Sequence, residues 1–155
     1  MTKSTRLTSP SSWIWIWTIA IALVTLAGCF GPQTSNDHYD RGMDRFKDDK
    51  YRGAVSDFNK AINIRPKYTV AHIGRGNARI GLGQYEEAIA DFDQAIRLQP
   101  HKAYTFYIRG RAKSSIGQYK EAIADWQASL ELADEANDTD LITSIERRIQ
   151  EFERK

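Results

Sequence analysis

The sequence contains a single cysteine, Cys29, so no intrachain disulfide can form and no set of thiolates can hold a metal. Histidine is also scarce. His38, His72 and His101 stand far apart, and no His-x₂₋₄-His pair offers a ligand set. An excess of either charge is missing too. Two of the 22 basic residues, Lys3 and Arg6, fall in the first 28 positions, which hold no acid; the rest of the chain is neutral, its bases matched by 20 acids. That balance excludes the concentrated positive field of a nucleic-acid binder. Nothing converges as an enzyme centre requires. The glycines of Gly74-Arg-Gly-Asn-Ala-Arg-Ile-Gly81 open no helix after a strand and make no phosphate loop. The acid runs Asp48-Asp49 and Glu86-Glu87 read as solvated turns and helix starts. No catalytic role and no cofactor are expected.

Charge is absent altogether from Leu7 to Asn36. Within that stretch an apolar run extends from Trp13 to Leu26, followed by the small residues Ala27 and Gly28 and then Cys29. A positive start, an apolar centre and small residues before a cut describe a secretory signal peptide. Leu26-Ala27-Gly28-Cys29 resembles the lipobox of bacterial lipoproteins. The resemblance implies removal of residues 1–28 and a diacylglycerol on the thiol of Cys29. It also implies an anchored protein on the periplasmic or outer-membrane side of a bacterial membrane, since Phe30 stands where an inner-membrane retention aspartate would. Two other readings stay open at this point: an uncleaved anchor, because Trp13–Phe30 gives eighteen uncharged residues, and an incidental thiol. Residues 29–36, with Gly31-Pro-Gln-Thr-Ser-Asn36, read as a flexible tether.

Beyond the tether the chain repeats itself. Tyr51, Tyr85 and Tyr119 lie 34 residues apart, as do Ala54, Ala88 and Ala122, and Arg-Gly at 41, 75 and 109. Asp57, Asp91 and Asp125 keep the interval, Phe58 and Phe92 are matched by Trp126, and Pro66 by Pro100. Each unit has room for two helices. In the second, Ala71–Leu82 and Tyr85–Leu98 are expected, with Gly83 turning between them and Pro100 ending the second. Tyr85, Ala88, Ile89, Phe92, Ala95 and Ile96 fall on one face. Gly76 is expected to leave room for Ala88. A hairpin of this kind cannot bury its own apolar face, and about three are needed for stability.

This pattern resembles the tetratricopeptide repeat family, over about two thirds of the chain. The resemblance implies an all-α fold: a right-handed α-solenoid of three hairpins, at 35–68, 69–102 and 103–136, closed by a capping helix within 137–155. Leu141, Ile142, Ile145, Ile149 and Phe152 would form the inner stripe of that cap, against Trp126 and Leu130. Asp134 replaces the proline of the third unit, so its second helix can run on. His38 and His72 occupy one repeat position and are expected to pack.

One departure from the family pattern calls for a structural account. Arg41, Arg75 and Arg109 precede the repeat glycine where an apolar residue is usual, and an acid follows each sixteen residues later: Asp57, Asp91 and Asp125. Antiparallel helices can bring these positions together, so each unit is expected to hold a partly buried ion pair.

In such folds the first helix of each unit lines a concave, protein-binding face. Carried over, the candidate contacts are Tyr39, Met43 and Phe46, then Ile73, Asn77 and Ile80, then Tyr104, Tyr107 and Arg111, with Lys47, Val70 and Ser114 beside them. Tyr, Met and Arg are enriched at protein interfaces. The clamp that grips acidic chaperone tails is not expected, because Ile73, Tyr104 and Ile108 stand where it needs polar or basic groups. The partner implied is a protein or peptide; self-association into homo-oligomers is the alternative.

Overall fold

The computed structural model describes residues 33–153. The expected signal peptide, Cys29 and residues 30–32 of the expected tether lie outside the described residues, as does Arg154. Seven helices follow one another: α1 (Ser35–Lys47), α2 (Tyr51–Ile64), α3 (Thr69–Gly81), α4 (Tyr85–Leu98), α5 (Ala103–Ser115), α6 (Tyr119–Ala136) and α7 (Thr139–Glu153). They pack as three hairpins, α1/α2, α3/α4 and α5/α6, with α7 against α6.

The first helix opens at a capping box. Thr34 accepts from the Asp37 amide, and Asp37 accepts from the Thr34 amide. The bond from the Thr34 backbone, followed by that from its side chain, holds the Asp37 carboxyl below its ordinary pKa. This cap starts the helix at Ser35, so the last two residues read as tether are helical. Each hairpin then turns in the same way. Asp49, Gly83 and Gly117 occupy equivalent positions with φ of 57°, 73° and 81°. The residue after each donates to the carbonyl five back, Lys50 to Arg45, Gln84 to Arg79 and Gln118 to Lys113, at 2.9–3.0 Å. That bond satisfies a carbonyl left over at the helix end. Glycine takes the left-handed conformation without strain. Asp49 takes it in the first hairpin, its carboxylate accepting from the Tyr51 hydroxyl.

Helix α4 shows how the stripe becomes packing. Ala88, Phe92 and Ala95 are fully buried, with Ile89 and Ile96 beside them half-covered. A methyl group built on Gly76 would lie 2.5 Å from the Phe92 ring. The glycine therefore admits the Phe92 ring beside it. Helix α3 starts at Thr69, two residues before the expected Ala71, and ends at Gly81.

The third hairpin has the longer second helix that Asp134 allows: α6 runs 18 residues where α4 runs 14. It stops at Asn137, which is left-handed at φ 56°, and Asp138 caps α7 by accepting from the Leu141 amide at 3.1 Å. Ile145 is fully buried, and Leu141, Ile142, Ile149 and Phe152 join it against Trp126 and Leu130. Glu146, Arg147 and Glu151 face outward. Among the described residues no helix is long and apolar enough to cross a membrane.

Candidate functional site

Helices α1, α3 and α5 present one grooved face. A cleft of about 340 Å³ is lined by Tyr39, Met43, Phe46, Val70, Ile73, Gly74, Asn77, Lys102 and Tyr104. A second, of about 270 Å³, takes Phe46, Asn77 and Tyr104 from the first and adds Tyr51, Ile80, Gly81 and Arg111. A third, of about 140 Å³, shares Ile80 and Arg111 and adds Ser114, Ser115 and Arg148. The three clefts form one groove through these shared residues.

Eight of the nine candidate contacts line it. The exception is Tyr107, whose ring packs between the cores of the second and third hairpins and whose carbonyl accepts from Trp126 Nε1 at 3.2 Å. Its neighbour Tyr104 is the exposed member of the pair. Lys47 is exposed and pairs with Asp44. Burial raises the pKa of Tyr39, with further small contributions from Tyr68 and Asp40, so its hydroxyl stays protonated in the groove wall. The aromatic and thioether side chains make the first cleft apolar, while Asn77 offers an amide at its centre. Sequence periodicity missed Arg148 and Tyr51. Arg148 sits one repeat interval after Ser114, and that interval was the available signal.

The Arg–Asp pairs lie away from this groove, between the two helices of each hairpin. Arg41 Nε donates to Asp57 at 2.9 Å, Arg75 Nε to Asp91 at 3.0 Å and Arg109 Nε to Asp125 at 2.8 Å. Each carboxylate also has a second cation that the sequence reading did not name: Arg45 on Asp57, Arg79 on Asp91 and Lys113 on Asp125. These sit one helical turn after the first arginine and recur at the same interval, so the repeat could have disclosed them. The pairs also cross between hairpins. Arg75 Nη1 donates to Asn59 and Arg109 Nη1 to Asp93, both at 2.6 Å. In the first hairpin Arg41 turns instead to His38 Nδ1 at 2.7 Å. Burial opposes the charge of Arg109, but its bonds to Asp125 and Asp93 outweigh that and raise its pKa. These groups are saturated with partners and hold the scaffold. His72 Nε2 donates to the Pro66 carbonyl at 2.9 Å, and His101 is exposed. Among the described residues no group of three or more His, Cys, Asp or Glu could hold a metal.

The tetratricopeptide repeat family model matches residues 69–102, the second hairpin. The second such domain of Spaghetti, solved bound to the HSP90 peptide SRMEEVD, is 31% identical over 64% of this chain and 93% of that one, with a TM-score of 0.62. The chain belongs to the tetratricopeptide repeat (TPR) family. Its TPR fold is shared at lower identity by the TPR2B-domain–pHsp70 complex of yeast Sti1 (20% identical, TM-score 0.74, 77% of this chain and 96% of that one). The type III secretion translocator chaperone SycD of Yersinia enterocolitica is similar as well (17%, TM-score 0.74, 79% and 94%). No curated protein sequence matches the chain.

Proposed function

We propose that this protein is a lipid-anchored TPR module of a bacterial envelope that holds a partner protein in the α1–α3–α5 groove. The role is one of binding and assembly, without catalysis. The observation that supports it most is the groove itself: a continuous apolar and polar channel in which the Asn77 and Arg111 side chains, unlike the Arg–Asp pairs, make no hydrogen bond to another described residue. Membership of the TPR family supports it further, since TPR domains solved with HSP90 and Hsp70 peptides share the fold. The anchor rests on the sequence alone, on Leu26-Ala27-Gly28-Cys29 at the end of an apolar run behind Lys3 and Arg6. Acyl chains on Cys29 would hold the module firmly, each buried methylene adding about 0.8 kcal/mol.

In-cell crosslinking of the tagged protein tests the groove. Met43→Ala with Tyr104→Ala should abolish the partner adduct while helical circular dichroism stays unchanged. An adduct of undiminished yield overturns the reading. Size exclusion at several concentrations addresses self-association, which requires a mass that rises with concentration. For the anchor, Cys29→Ala should leave an unprocessed precursor, and normal processing of that variant would rule lipidation out.

A further inference from the structure

The groove is graded along the array. Phe46, Ile80, Ser114 and Arg148 are equivalent positions one repeat interval apart, and all four line it. The parallel series is Met43, Asn77 and Arg111. In both, side chains pass from apolar through neutral polar to cationic as the chain proceeds. The cations of the lining, Lys102, Arg111 and Arg148, come only from α5, its N-cap and α7. No aspartate or glutamate lines any of the three clefts. Arg111 is exposed and its guanidinium has no partner among the described residues. Arg148 has one, an exposed bond to Glu151 at 3.1 Å.

From this gradient we infer that the groove takes a polarised peptide segment, an apolar residue on the first hairpin and an acidic side chain between Arg111 and Arg148. The inference rests on the groove being the binding face. Packed helices lie roughly 8–10 Å apart and an extended chain advances about 3.3 Å per residue. Two to three repeat steps therefore separate the apolar and acidic residues by about five to nine positions. The acid meets guanidinium groups, which bind carboxylates through paired donors. This arrangement draws its cations from α5, its N-cap and α7 alone, and so differs from a clamp spread over every repeat.

Fluorescein-labelled twelve-residue peptides on a Gly-Ser background test it by anisotropy. Each carries Phe-Leu and, six residues away, Glu-Glu or Gln-Gln, in both chain directions. The Glu peptide of one direction should bind about tenfold tighter than its Gln counterpart, and the preference should shrink in high salt. Arg111→Gln with Arg148→Gln, at an exposed and a half-buried surface site, should erase the preference and leave the Gln peptide unaffected. Glu151→Gln, by freeing Arg148, should widen it. Met43→Ala should weaken both peptides alike. Equal binding of Glu and Gln peptides, no binding of either, or a preference that survives the double arginine variant overturns the inference. If Met43→Ala with Tyr104→Ala still abolishes the native adduct, the binding face stands and only its acidic preference falls.

Discussion

Replacing Asp91 by alanine should cost about 3–5 kcal/mol, the range for breaking a buried pair by removing one partner. The carboxylate is 2% exposed and lies between Arg75, at 3.0 Å from Nε, and Arg79, at 2.7 Å from Nη1. Those arginine side chains are 18% and 22% exposed. Without Asp91 the two cations face each other across a poorly hydrated gap, and Arg75 keeps only its bond to Asn59. A surface pair would lose about 0–1 kcal/mol, so urea denaturation separates the two cases by magnitude alone. Arg79→Met should lower the cost of a subsequent Asp91→Ala, because one of the stranded charges is then gone. The coupling expected is about 0.5–3 kcal/mol. Strictly additive losses would mean that the carboxylate and Arg79 do not interact. Replacing Asp91, Arg75 and Arg79 together by leucine or methionine should recover much of the lost stability, because a buried ion cluster is not itself strongly stabilising. The cluster fixes the register of α3 against α4, since the two arginines one turn apart can both meet the carboxylate at a single axial setting.

The repeat interval made most of this fold legible. It located every hairpin, because a stripe of Tyr85, Ala88, Phe92 and Ala95 has one way to be buried and Gly83 one good way to turn. The ion pairs were legible for the same reason, as recurring opposite charges on helices that must run antiparallel. What escaped was geometry that depends on a third element. Periodicity says that space is needed at Gly76 but does not give the 2.5 Å approach of the Phe92 ring that takes it up. The second cation on each aspartate, Arg45, Arg79 or Lys113, keeps the same interval but lies one turn beyond the Arg-Gly pair. Tyr107 was placed in the groove because it stands on the same helix as Tyr104. Three residues of helix are about 300°, enough to leave both near one face, and the choice between lining and core fell to α6, whose Trp126 draws the Tyr107 backbone inward. Arg148 escapes the periodic pattern because α7 is expected only as a capping helix, while its polar edge also lines the groove.

Phe58→Ala should cost about 3–5 kcal/mol, with a pattern that tests how the hairpins depend on one another. The ring is fully buried. A methyl group on Gly42 of α1, or on Gly74 of α3, would lie 2.8 Å from it, so Phe58 fills the space between the first hairpin and the second. The described first hairpin packs on one neighbour, whereas the second packs on two. In an array held by nearest-neighbour interfaces, losing this ring weakens one interface and leaves the next intact. Native-state hydrogen exchange should therefore show α1 and α2 opening together at reduced free energy, while α3 to α7 retain more of their protection. Phe92→Ala serves as the contrast. Its ring belongs to the central hairpin, against Ile73, Ala88 and Ile108, and its loss should lower protection throughout, because the two flanking hairpins lose their common support. If Phe58→Ala lowers protection evenly from α1 to α7, the array opens as one unit and the neighbour-by-neighbour account fails. If it opens as expected, Met43 and Phe46 leave the groove whenever the first hairpin frays. Partner affinity would then fall with the stability of α1 and α2 even though Phe58 touches no ligand.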